Sequence, residues 1–262
     1  MSPLLYSRDY RDPFESMISV DDSENGLLID FGGTMAQINS TSPSWLSQTK
    51  FRYGPFVCES GSPEIFITHS DDETGMMAKH GCLSSVSHDK LSAEIAASEG
   101  TEVLDGVLRT ILPSAIAPDL LVHGALLRDE ERGFLCCGVS GAGKSTMASL
   151  FPEEALCDEL VRLCVAQNGI EARSLPFWRA RPDMVPLVAI YIIEHGVENR
   201  RTPLSFSKAI QELRRHIYWP VISSDMMAQS FGRLTDLCEQ TPVLRLAFRP
   251  ETSVWDTITG EL

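Results

Sequence analysis

The sequence predicts an α/β fold in which a mixed sheet carries a phosphate-binding loop, preceded by a small sheet-rich α+β unit. Three observations predict it. An apolar run, Phe134 to Cys137, enters the glycine-rich segment Gly138-Val139-Ser140-Gly141-Ala142-Gly143-Lys144-Ser145, and a helix-compatible run leaves it. A second apolar run, Pro186 to Glu194, is bounded by turn signals as a buried central strand would be. Short extended segments with polar turns fill much of the first hundred residues. These place a sheet-rich unit over 1–100 and the loop-bearing domain over 101–262.

Residues 1 to about 24 are polar and carry Asp9, Asp12, Glu15, Asp21, Asp22 and Glu24, a loosely ordered lead-in. Gly26 to Phe31 and Thr34 to Ile38, joined by Gly32-Gly33, read as a hairpin. Glu64 to His69 reads as a strand followed by a polar loop, Ser70 to Gly75. Between Glu94 and Pro113, the apolar positions Ile95, Val103, Leu104, Val107, Leu108, Ile111 and Leu112 recur at helical spacing from about 103, predicting a helix packed on the next unit. Asp119 to Leu127, a charged turn at Arg128 to Arg132, and Gly133 to Gly138 read as strand, turn, strand. A helix of about two turns after the loop ends at Pro152. Ala155 to Leu163 returns as one strand. Ser205 starts a helix running to His216, with Lys208 and Glu212 on one face. Val243 to Phe248 is again extended.

With 43% hydrophobic and 22% charged residues the composition is that of a folded globular chain. The net charge of −14 repels polyanions, so neither nucleic acid nor an anionic membrane is an expected partner. The seven cysteines, at 58, 82, 136, 137, 157, 164 and 238, form no CxxC pair, which argues against a zinc site or a disulfide framework. The N-terminus lacks the apolar core of a signal peptide and no run reaches membrane-spanning length, so a cytoplasmic location is expected.

Each position of the loop has a task. Its glycines, Gly138, Gly141 and Gly143, let successive N–H groups of Ser140 to Thr146, Ala142 among them, turn towards phosphate oxygens. Lys144 would neutralise charge between the β- and γ-phosphates, and the Ser145 hydroxyl would complete a magnesium shell. Asp158, followed at once by Glu159, comes only fourteen residues after Lys144. One of the two can bind the cation while the other accepts a proton from an attacking hydroxyl. His123, between Val122 and Gly124, reads on its own as a core histidine with satisfied nitrogens.

In their order, Val122-His123-Gly124-Ala125-Leu126-Leu127, then Gly138 to Thr146, then Cys157-Asp158-Glu159 resemble the catalytic domain of HPr kinase/phosphorylase and the wider HPr kinase-like group, over about 119–256. That group is related in fold to the ATP-dependent phosphoenolpyruvate carboxykinases. The resemblance implies a P-loop HPr kinase-like catalytic domain that uses ATP and magnesium. Lys144 and Ser145 would hold phosphate and metal, Asp158 and Glu159 would supply the metal contact and general base, and His123 would line the γ-phosphate side. Ser174-Leu175-Pro176-Phe177-Trp178 resembles the Thr-Pro-aromatic stretch that follows the acidic pair in that group. The Glu-x-Arg-Gly-x-Gly signature of authentic HPr kinases is not found in 165–200, so the resemblance extends neither to HPr as acceptor nor to dephosphorylation.

Two functions follow. One is transfer of the γ-phosphoryl of ATP to a hydroxyl acceptor on a protein, peptide or small molecule. The other is a non-catalytic ATP-binding module that controls a protein partner. Arg200, Arg201, Arg214 and Arg215 are candidates for recognising an anionic acceptor. Relatives often assemble, which adds a homo-oligomer to the partners to be tested.

Overall fold

The structure, a computed structural model of the 262-residue chain, describes residues 26–70, 82–86, 91–96, 100–166, 169–177, 180–221 and 223–261. The polar lead-in, the loop segment 71–75 and Trp178 lie outside the described residues.

The predicted hairpin is β1 (Gly26–Asp30) and β2 (Met35–Ser40), antiparallel from Gly26↔Asn39 to Asp30↔Met35. Helix α1 (Pro43–Tyr53) follows, its first turn capped by the Ser42 hydroxyl, then β3 (Val57–Cys58), β4 (Ile65–Ser70), β5 (Cys82–Val86) and β6 (Leu91–Ala96). They form a mixed sheet in the order β3-β1-β2-β4-β6-β5, with β4 parallel to both β2 and β6. Ile95 belongs to β6 and not to the helical pattern that follows it. It is buried against the sheet's core because successive strand residues alternate between faces.

Helix α2 (Glu102–Ala115) explains how the two units meet. Leu104, Val107, Leu108, Ile111 and Leu112 form its buried stripe. That stripe packs with Ile29, Phe31, Ile65 and Ile67 of the first sheet, and the same core takes in Leu121, Leu160, Leu175 and Phe177 from beyond residue 119. The helix predicted to pack on the next unit packs on both.

The rest of the chain supplies β7 (Leu120–Asp129), β8 (Arg132–Cys137), α3 (Lys144–Leu150), β9 (Ala155–Cys157), β10 (Leu160–Ala166), β11 (Gly169–Ser174), β12 (Met184–His195) and β13 (Arg200–Pro203). Helix α4 (Phe206–Leu213), β14 (Ile217–Tyr218), α5 (Ser224–Gln240), β15 (Val243–Phe248) and α6 (Val254–Thr259) complete it. The order is β11-β10-β7-β8-β12-β15-β13, with β9 and β14 also on β7 and a further pairing of β11 to β12. β8, β12 and β15 run parallel, and β7 is antiparallel to β8, so this sheet is mixed as expected.

Period-two alternation sorts β8 and β12 between the two faces. Leu135, Cys137, Ile190 and Ile192 pack towards α4 and α5, while Phe134, Cys136, Tyr191 and Ile193 pack towards α3 and α6. Burial pushes the Cys136 thiol up to about 12, so it behaves as a small apolar group. Among the described residues no helix is long and apolar enough to cross a membrane.

Candidate functional site

Register places the site. Ile192 stands opposite Cys137, the last residue of β8, but β12 and β15 continue until His195 faces Phe248. The chain leaving β8 therefore turns against a two-residue wall at the C-terminal ends of parallel strands, where α/β sheets commonly hold ligands. His195 Nε2 lies 2.9 Å from the Gly141 carbonyl oxygen. Phe248 lies close to Gly143, where a Cβ would approach its Cζ to 2.7 Å. Gly141 and Gly143 have φ of 80° and 107°, the left-handed region that glycine enters without a Cβ clash. Sequence reasoning missed His195, although its position at the end of the predicted central strand was a usable signal.

The loop folds around its own lysine. Lys144 Nζ donates to the carbonyls of Gly138 at 2.8 Å and Val139 at 3.4 Å, and the residue is 7% exposed. Burial lowers its pKa, partly offset by Asp158 and Glu159, which favour the charged ammonium. Gly138 and Ala142 are buried beneath the loop, where a Cβ on Gly138 would come within 2.7 Å of that of Ala142.

β7 brings the other candidates in. Gly124 pairs with Cys137, which sets His123, the fourth residue of β7, level with the start of the loop. His123 also pairs with Leu160, and its N–H donates to the His216 carbonyl at 2.7 Å. Asp158 and Glu159 fall between β9 and β10, correcting the single strand expected over 155–163. Register against β7 is kept across the gap, Leu126↔Cys157 and His123↔Leu160, and the Gly124 N–H donates to the Glu159 carbonyl at 3.2 Å. In a straight strand adjacent side chains point to opposite faces. The bend at this pair lets both carboxylates reach one cavity.

That cavity, of about 370 Å³, is lined by His123, Ser140, Gly141, Gly143, Lys144, Ser145, Thr146, Asp158 and Glu159. Asp158 is 8% exposed. Glu159 Oε1 lies 2.8 Å from Arg109 Nη1 and 3.9 Å from His123 Nε2. The His123 pKa is lowered, first by burial and then by Lys144, with Glu159 opposing and Arg109 adding to the drop. His216, buried behind it, is lowered by burial, Lys144 and His123. Arg109 was not anticipated. It lies on the polar side of an amphipathic helix, and only the tertiary packing shows which element it meets.

The donor set is all oxygen: one hydroxyl, Ser145, and the two carboxylates. Such a set, with neither cysteine nor a second histidine among the cavity residues, suits a hard cation such as magnesium better than it suits zinc. Among the described residues no group of three or more His, Cys, Asp or Glu gathers as a metal site. A cation here would therefore need phosphate or water oxygens to complete its shell, as magnesium–nucleotide complexes provide.

The arginines proposed for an anionic acceptor do not gather here. Arg200 and Arg201 lie in β13, antiparallel to β15. Arg201 is spent on the carbonyls of Gly260 and Glu261, Arg200 pairs with Glu198, and Arg215 pairs with Glu212. None of the four lines the cavity. Of the segment 174–178, Phe177 is buried in the first core with the Arg109 guanidinium 5.0 Å above its ring.

No protein-family model and no curated protein matches the chain. Among solved structures the chain is similar to the Hpr(Ser) kinase/phosphatase from Coxiella burnetii, at 10% identity and a TM-score of 0.31, covering 53% of this chain and 92% of that one.

Proposed function

We propose that the chain is an ATP-dependent phosphotransferase that moves the γ-phosphoryl group of ATP to a hydroxyl acceptor. The observation that carries this reading is the cavity itself. A glycine loop, a lysine, three small hydroxyl residues, a histidine and two adjacent carboxylates, from three separate stretches of chain, line one space.

ATP bound with magnesium would supply the transferable phosphoryl group, with Ser145 and one carboxylate as protein ligands to the metal. The chain's own residues do the rest. Lys144, already at the centre of the loop, exchanges its two carbonyl acceptors for phosphate oxygens and balances their charge. Gly141 and Gly143 let the backbone approach without side chains in the way. The second carboxylate takes the acceptor's hydroxyl proton as the acceptor oxygen bonds to the γ-phosphorus and the bond from that phosphorus to the β–γ bridging oxygen breaks, ADP being the leaving group. His123, mostly neutral at neutral pH because its pKa is lowered, adds a hydrogen-bonding group without another full charge.

The test is ADP release from MgATP, together with transfer of labelled γ-phosphate to components of a host lysate. Lys144→Ala should abolish both. Asp158→Asn should keep nucleotide binding and lower turnover by about 10²- to 10⁴-fold, the usual loss when a base or metal contact is removed. Full rate in both variants would overturn the assignment. One observation favours a second reading, ATP binding that signals to a partner: the cleft carboxylate Glu159 is tied to α2, a helix of the first core. Tight MgATP binding by the native chain, with no turnover on any acceptor, would select it.

A further inference from the structure

Helix α2 delivers a cation to the cleft from outside the loop-bearing sheet. Its apolar stripe is buried in the first core, and Asp105, one turn before Arg109 on the same side, accepts from the Tyr53 hydroxyl at 2.5 Å and pairs with Arg52. The helix is thus anchored on α1. From that anchorage Arg109 makes three contacts, all beyond residue 119. Nη1 is 2.8 Å from Glu159 Oε1 and donates to the Tyr218 hydroxyl at 3.4 Å, and the guanidinium lies over the Phe177 ring.

We propose that Arg109 is a positioning residue of the cleft: it fixes the Glu159 carboxylate in the cavity wall, so that a competent cleft depends on helix α2. The catalytic consequence rests on the phosphotransferase reading; the positioning does not. Glu159 Oε1 is shared unequally between Arg109 at 2.8 Å and His123 Nε2 at 3.9 Å, a distance too long for a hydrogen bond. The groups facing His123 are Lys144 of α3, Glu159, Arg109 of α2 and His216. Removing the Arg109 guanidinium frees Glu159 to swing towards His123 Nε2 and away from the position it holds in the cavity wall.

The experiment uses the full chain with Arg109→Met and Arg109→Lys. It reads MgATP affinity, kcat for MgATP hydrolysis with water as acceptor, and stability to urea, each also for Glu159→Gln and for the double variant. In Arg109→Met kcat should fall by about tenfold to a hundredfold, the scale of a misplaced reacting group, with affinity changed less than about threefold, and in the Glu159→Gln background the same substitution should add little further loss of kcat or of stability, because its effect runs through that carboxylate. Arg109→Lys should recover part of the kcat loss, because an ammonium keeps the charge but loses the planar fork. If Arg109→Met fails to fold, the lysine variant decides by the same comparison. Losses that are undiminished in the Glu159→Gln background overturn the proposal, even if kcat drops. Stability losses that are non-additive while the native chain hydrolyses no MgATP sustain the positioning role and remove the phosphotransfer reading.

Discussion

Protonation at the cleft follows from where single side chains are buried. His123 and His216 both have pKa values lowered below 6.5, with burial the largest cause in each. Between the lowered native value and 6.5 the unfolded chain binds more protons than the native one, so stability rises with pH across that window. The stabilising contribution of the neutral imidazoles is complete above 6.5 and is lost as the pH falls below it. The melting temperature should therefore drop on acidification through 6.5, well above the range where carboxylates titrate. His216→Asn, which removes the more buried ring, should flatten that slope in thermal melts from pH 7.5 to 5. A slope unchanged in that variant would show that His216 is not a source of it. At this scale the residues that a local pattern singled out, Lys144, Ser145 and the Asp158-Glu159 pair, are ones the structure brings to one cavity. The same patterns hid Arg109, which meets Glu159 from an element more than 40 residues away, and Tyr218, which meets Arg109.

The loop is an element whose shape two glycines decide in different ways. Gly141 has φ of 80° with nothing within 4 Å of a Cβ added there, whereas Gly143 has φ of 107° and a Cβ would meet the Phe248 ring. Gly141→Ala should cost about 1–2 kcal/mol, the strain of an L-residue in the left-handed region. Gly143→Ala bears that strain and must also displace a buried ring packed on His195, so it should be the worse of the two by urea denaturation and should weaken MgATP binding more. Equal losses would mean that Phe248 yields freely and does not shape the loop. Elements with strong periodicity were legible: the hairpin, α2, β12 and β15 all lie where the pattern put them. Helix α1 was not, because the face it buries is Trp45, Thr49 and Tyr53, and a threonine in the middle of that stripe breaks the apolar signal. The strand over 155–163 read as continuous because adjacent residue types do not reveal a bend that turns two neighbouring carboxylates to one side.

Across the whole molecule, the first sheet and the loop-bearing sheet share side chains across residue 100. Leu104, Val107, Leu108, Ile111 and Leu112 of α2 sit in one core with Ile29, Ile65 and Ile67 on one side and Leu121, Leu160 and Phe177 on the other. Arg162 adds a polar tie: its guanidinium is held by Asp119 and donates to the Gly32 carbonyl at 3.0 Å and the Thr34 hydroxyl at 2.9 Å, while Arg173 donates to the same Gly32 carbonyl at 2.9 Å. The hairpin turn of the first sheet is thus gripped by two strands of the second. Expressed alone, residues 101–262 would leave the α2 stripe without the first-sheet side chains that cover it. At about 1.5–3 kcal/mol for each large aliphatic side chain returned to water, five of them amount to roughly 10 kcal/mol, comparable to the entire stability of an ordinary domain. The fragment should therefore bind a hydrophobic dye and aggregate, with the cleft lost because Arg109 rides on that helix. By the same reasoning the full chain should melt in one calorimetric transition, its two sheets unfolding together. A soluble, cooperatively melting 101–262 fragment that still binds MgATP would show that the shared core contributes little and that α2 holds Arg109 in place without the first sheet behind it.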